Sequence, residues 1–110
     1  MEQIKTENID RIVPDTSVII EGLLSEKLRN NHIKSNEIII HEAVIAELEH
    51  QANMGKAIGF LGLDEIKRIK KLSTERGFEL SFKGSRPKAA EIRHASLGEI
   101  DSLIRQLAYD

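Results

Sequence analysis

The chain has no cysteine and no tryptophan. Disulfides and thiolate metal sites are therefore excluded. Its four histidines, His32, His41, His50 and His94, form no His-x-x-x-His pair, which disfavours a zinc centre. Any metal would have to be held by oxygen. No apolar run approaches the ~20 residues of a membrane-spanning helix, and Met1-Glu2-Gln3 does not open a signal peptide. The expectation is a cytoplasmic protein with no membrane partner. Aromatic residues make up only 4% of the chain. Phe60, Phe78 and Phe82 sit where a core is expected, leaving little for stacking on bases. Net charge is only −2, so the total points to no particular partner.

What remains is ordinary soluble composition: 110 residues, 40% hydrophobic and 31% charged, enough for one domain with one core. The charge is unevenly placed. Residues 1–50 carry 5 Lys/Arg against 10 Asp/Glu, whereas residues 51–110 carry 11 against 8. The cations cluster from Lys67 to Arg93. An acidic half beside a basic segment suits a site that takes cations and a polyanion together. The plainer reading is that these cations solvate the outer face of a helix.

The pattern of elements argues for a parallel sheet. A strand is expected over about Arg11–Pro14, after a polar lead-in, since Ile12 and Val13 are β-formers and Pro14 ends a ladder. A helix follows from about Ser17 to Arg29, weakened by Gly22, with Ser17 and Thr16 as candidate caps. Glu37-Ile38-Ile39-Ile40 reads as a buried parallel strand. A second helix spans about Ala43–Asn53. Gly55, Gly59 and Gly62 suggest a bend or a weak, closely packing helical start. A strong helix then runs from Leu63 to about Arg76, and Gly77 stops it. Residues 78–82 alternate like an edge strand. Pro87 opens a short helical turn, and Ser96-Leu97-Gly98-Glu99 is a capping box that opens a last helix. Alternating strands and helices give an α/β fold: three layers, α/β/α, around a central parallel sheet. The chain stops where that last helix should return to the sheet. The expectation is one domain over 1–110, incomplete at its C-terminus, with an open strand edge prone to self-association.

Acids at the ends of these elements suggest hard-metal chemistry. Ligands of α/β sheets bind beyond the carboxyl ends of the strands. Asp15 lies at such an end, with hydroxyls on Thr16 and Ser17, although Asp is also a common turn residue. Glu47 and Glu49 are equally placed on the second helix, and both also read as solvated helix acids. Asp101 lies about 90° from the apolar stripe of the last helix, at the edge of the buried face. It also sits favourably in a first helical turn.

The stretch from Ile12 through Pro14-Asp15-Thr16-Ser17 to Ile20 resembles the first motif of PIN domains. Val44-Ile45-Ala46-Glu47-Leu48-Glu49 resembles the second, and Gly98-Glu99-Ile100-Asp101 the third. The Gly-rich bend, the basic helix and the Arg86-Pro87 loop further resemble the N-terminal PIN module of archaeal PIN–P-loop ATPase–KH proteins. The resemblance implies a metal-dependent endoribonuclease, with Mg²⁺ or Mn²⁺ held by Asp15, Glu47 and Asp101. Thr16, Ser17 and Glu99 would support them. Lys67, Lys70, Lys71, Lys83, Arg86, Lys88 and Arg93 would face the phosphate backbone of RNA. A further acid, which in such proteins follows the next strand, has no counterpart before the chain ends. The alternative is an inactive PIN-like module that binds RNA, regulates or oligomerises beside fused ATPase and KH regions. A phosphotransferase with Asp15 as nucleophile is disfavoured, because Ser17 stands where an Asp-x-Asp-x-Thr pattern needs its second Asp.

Overall fold

A computed structural model describes residues 5–84. The elements run β1 (Glu7–Ile12), α1 (Thr16–Glu21), α2 (Leu23–Arg29), β2 (Ile33–His41), α3 (Glu42–Asn53), α4 (Ala57–Arg76) and β3 (Glu79–Lys83). The three strands form one parallel sheet in the order β1-β2-β3. The fold is α/β, as expected. The helical turn at Pro87 and the last helix lie outside the described residues.

β2 is central because it can be buried on both faces. Ile38 and Ile40 are fully buried and join the main core, while Ile39, 2% exposed, points to the opposite face. Each such burial contributes roughly 2 kcal/mol. Ile19, Leu24 and Leu28 of the first two helices, Val44 and Leu48 of α3, and Ile69 and Leu72 of α4 complete that core with Phe78. Among the described residues β3 is an edge strand, as its alternation suggested, and β1 is the other edge.

Four boundaries differ from the sequence expectation. β1 starts at Glu7, inside the polar lead-in, and pairs in register with β2 from Glu7↔Ile33 to Ile12↔Ile38. Ladder hydrogen bonds hold Glu7-Asn8-Ile9-Asp10, whose side chains alone do not favour a strand. β2 likewise begins four residues early, at Ile33. The helix expected over 17–29 is two helices, because Gly22 takes a left-handed φ of 73° and serves as C-cap of α1 and N-cap of α2. Finally, of the two readings of the glycine-rich stretch, Gly55 lies in a turn at φ 74° and the rest is a closely packing helical start, earlier than the expected Leu63. α4 begins at Ala57 and runs straight through Gly59 and Gly62.

Those two glycines lie against α3. A Cβ at Gly59 would stand 2.3 Å from the backbone nitrogen of Ala52, and one at Gly62 would stand 2.4 Å from Leu48 Cδ2. The order of these contacts makes α4 antiparallel to α3. Farther along, α4 reaches α2 at Ser25 through Glu65, and Arg76 bonds Asn31 and the carbonyl of Arg29. Phe60 and Phe82, expected in the core, are 53% and 41% exposed; of the three phenylalanines only Phe78 is buried.

Candidate metal site

β1 and β2 are parallel, so their carboxyl ends share one edge of the sheet. The chain leaves β1 there through Val13 and Pro14 and reaches Asp15. It leaves β2 there through His41 and enters α3. Both α1 and α3 therefore start at that one edge, where ligands of α/β sheets bind.

Asp15, not Ser17 or Thr16, caps α1. Its Oδ1 accepts hydrogen bonds from the backbone N–H of Val18 and from the Ser17 hydroxyl, both at 3.0 Å. A carboxylate accepts more strongly than a hydroxyl, and its position before the first turn also suits the helix dipole. Both bonds fall on one oxygen, so the cap leaves Oδ2 uncommitted among the described residues.

Glu47 lies in the second turn of α3 and is only 6% exposed, whereas Glu49 faces solvent. The one side chain that donates to Glu47 among the described residues is Gln51, one turn on, with Nε2 at 2.6 Å from Oε1. Two buried oxygens near these acids have no hydrogen-bond partner among the described residues: Thr16 Oγ1 and Gln51 Oε1. Thr16 follows Asp15 and is itself 3% exposed. Carboxylates, a hydroxyl and an amide carbonyl are hard oxygen donors of the kind that suits Mg²⁺ or Mn²⁺. No three acids or histidines come together as a metal site among the described residues. Asp101 and Glu99 lie outside them.

His41 closes the same edge. It is buried, and its Nδ1 accepts from the backbone N–H of Ala43 at 2.9 Å, capping α3. Burial holds its pKa below the ordinary 6.5, opposed by the neighbouring Glu42 carboxylate. Gly84, at φ +94°, packs on the ring, where a Cβ would come within 2.5 Å of Nε2. The sequence showed His41 only as one of four histidines without a His-x-x-x-His partner.

The buried acid that sequence reasoning missed is Glu65, which is fully buried on α4. It accepts from Ser25 N–H at 2.9 Å, from the Ser25 hydroxyl at 2.5 Å and from Arg68 Nε at 3.1 Å. Its spacing from Ile69 and Leu72, four and seven positions, places it on the apolar stripe and was the available signal. These partners satisfy Glu65 and tie α4 to α2.

Lys67, Lys70 and Lys71 are exposed on α4 at spacings that share one face. Lys83 is also exposed but lies 3.8 Å from Glu37 Oε2. Arg86, Lys88 and Arg93 lie outside the described residues. A cavity of about 550 Å³ opens at the opposite, amino-terminal edge of the sheet, lined in part by Asp10, Asn36, Arg76 and Phe78. It shares no residue with the acid-bearing edge. Among the described residues no helix is long and apolar enough to cross a membrane.

Comparison with known proteins identifies the family and the fold. The chain is 37% identical, over 97% of its length, to an uncharacterized KH and PIN-domain containing protein of Methanocaldococcus jannaschii, and spans 18% of that protein. It is 37% identical over 56% of its length to the Holliday junction branch migration ATPase PINA of Sulfolobus acidocaldarius, of which the match spans 12%. The solved structure of a domain of a functionally unknown protein from Methanocaldococcus jannaschii superimposes with a TM-score of 0.84 at 39% identity, covering 92% of this chain and 72% of that one. The sequence profile of the PIN domain matches residues 12–110. The chain therefore belongs to the PIN domain family.

Proposed function

We propose that this domain is a metal-dependent nuclease that hydrolyses RNA phosphodiesters, with Asp15, Glu47 and Asp101 as ligands of Mg²⁺ or Mn²⁺. The observation that carries the reading is the burial of Glu47. A carboxylate removed from water is costly unless a cation or strong donors meet it. Among the described residues it has one neutral amide, and a divalent ion would complete it. When bound, the ion supplies an activated water and stabilises the leaving oxygen. Asp15 and Glu47 orient that ion at the sheet edge. The Thr16 and Ser17 hydroxyls, with Glu99, support the acids or the water around the ion. Lys67, Lys70 and Lys71, with Lys83, Arg86, Lys88 and Arg93, hold the phosphate backbone without reading sequence. The exposed ring of Phe82, on the face of β3 opposite to Lys83, offers an aromatic face for a base.

The test is Mn²⁺ calorimetry on this chain and on Asp15→Asn, followed by RNA cleavage with the full-length protein in the presence and absence of EDTA. Binding lost in the variant and cleavage abolished by EDTA are expected. Cleavage that survives EDTA would overturn the reading. The relative named for Holliday junctions makes DNA the competing substrate, so labelled DNA belongs in the same assay.

A second reading is a docking or regulatory module beside ATPase and KH regions, able to bind RNA or to oligomerise without cleaving. Met54, Ile58, Phe60 and Leu61 favour it, because all four apolar side chains are exposed around the α3–α4 turn. Saturable RNA binding with no turnover in the full-length protein would select this reading.

A further inference from the structure

We infer that Gln51 is a positioning residue of the metal site: it fixes the Glu47 carboxylate through its amide N–H and offers its carbonyl oxygen to water bound to the ion. This deepens the reading of Glu47 as a ligand and rests on it.

The argument begins with the orientation of the amide. The bond from Gln51 Nε2 to Glu47 Oε1 is 2.6 Å, so the NH₂ end must face the carboxylate. A carbonyl in that place would set oxygen against oxygen. The flip ambiguity of an amide is thereby resolved, and Oε1 is committed to the other side. There it is buried and has no hydrogen-bond partner among the described residues. A buried carbonyl without a donor is uncommon in a folded protein and calls for a donor beyond the described residues, a role that water on a bound ion fills.

Thr16 Oγ1 is the second oxygen in this position. It is buried without a partner, its residue is 3% exposed, and it adjoins Asp15. Each of the two described acids of the candidate site thus has an orphaned oxygen close by in sequence. Waters carried by a divalent ion are donors suited to both. Mg²⁺ in particular keeps several of its waters when only a few carboxylates bind it. Residues one shell away from the ion set the direction and basicity of the carboxylates that touch it. An acid and an amide four apart on a helix present themselves on one face, which is the geometry this role needs.

The experiment is Mn²⁺ calorimetry with thermal melts, with and without Mn²⁺, on the wild-type chain and on Gln51→Met, Gln51→Glu and Glu47→Gln. Gln51→Met keeps the length and apolar bulk of the side chain but neither hydrogen bond. It is expected to weaken Mn²⁺ binding about tenfold. Glu47→Gln is expected to abolish binding. Gln51→Glu sets a second carboxylate against Glu47, so Mn²⁺ should raise its Tm more than that of the wild type. This readout is independent of whether Gln51→Met folds. Unchanged Mn²⁺ affinity in Gln51→Met, with binding lost in Glu47→Gln, would overturn the role of Gln51 and leave the metal site standing. A Tm rise in Gln51→Glu no larger than the wild type's would overturn it equally. Absence of Mn²⁺ binding by the wild-type chain would overturn both the role of Gln51 and the metal site it serves.

Discussion

The carboxylate of Glu65 receives both the backbone N–H and the hydroxyl of Ser25, so a residue in the middle of α4 caps the first turn of α2 from another element. Gly22, the N-cap of α2, makes no side-chain hydrogen bond of its own. Glu65 therefore supplies the acceptor that α2 lacks locally. Removing this acceptor leaves the buried Ser25 N–H and hydroxyl unsatisfied, at about 1–3 kcal/mol each. The Arg68 side chain is 46% exposed, so its ion pair is screened and adds little. Glu65→Ala should lower stability by about 3 kcal/mol in urea unfolding. Glu65→Gln should lose less, because its amide oxygen can still accept from Ser25.

The two glycines of the α3–α4 contact should respond differently to alanine. At Gly59 the new methyl meets the backbone of Ala52 and Leu48; at Gly62 it meets only the Leu48 side chain. Backbone cannot move aside, whereas a leucine can change rotamer. Overpacking costs about 1–3 kcal/mol, and the helix propensity of alanine returns about 1. Gly59→Ala should therefore destabilise by about 2 kcal/mol, and Gly62→Ala by less than about 1. Thermal melts of the two variants check the order.

His41 gives stability a pH dependence of known sign. Its folded-state pKa lies below the ordinary 6.5, so the unfolded chain takes up the proton first as pH falls. The stability tied to the neutral ring is complete above that ordinary value and is lost as pH falls through the folded-state value. A proton on Nδ1 would also displace the Ala43 hydrogen bond that caps α3. His41→Asn keeps a cap and removes the titration. Its stability should vary less than the wild type's between about pH 7.5 and about pH 5.

Asp15 holds a structural and a proposed chemical role that two substitutions separate. Asp15→Ala removes the cap of α1 and should cost about 1 kcal/mol. Asp15→Asn caps nearly as well and should cost only a few tenths. Both should abolish Mn²⁺ binding. Retained binding in Asp15→Asn, measured by calorimetry, would remove Asp15 from the ligand set.

The lysine face of α4 is testable by salt. For single-stranded nucleic acid each neutralised phosphate adds about 0.7 to the slope of log affinity against log salt. Replacing Lys67, Lys70 and Lys71 together with alanine should reduce that slope by about 2. Titrations of labelled RNA at several salt concentrations measure it.

The parts of this fold legible in the sequence are those set by local chemistry. The isoleucine run of β2, α3, the stop at Gly77 and the alternation of β3 follow from propensity and period. Asp15 was legible as a strand-end acid, because Pro14 and the hydroxyls around it mark the end of β1. The early start of β1 was not legible, because pairing with β2 holds polar residues in a strand. Gly59 and Gly62 read as either a bend or a closely packing helical start, and only the approach of α3 decides for the second. Glu47 and Glu49 were equivalent on a helical wheel, and only packing separates the buried acid from the exposed one. Glu65 shares the apolar stripe of Ile69 and Leu72, but the partner that satisfies it, Ser25, lies on an element that sequence alone does not bring to it.

The break at Gly22 limits how far a disturbance at the metal edge can spread. One uninterrupted helix would share a single N-terminal cap, and an ion drawing Asp15 away would loosen its whole length. Here α1 ends on its own left-handed glycine, and α2 begins under the carboxylate of Glu65. A cation drawing on Asp15, as proposed, would act on the cap of α1, six residues long, and not on the cap of α2. The core residues Leu24 and Leu28 thus hang from a cap that does not involve Asp15, whereas Ile19 alone of the buried apolar residues shares a helix with it.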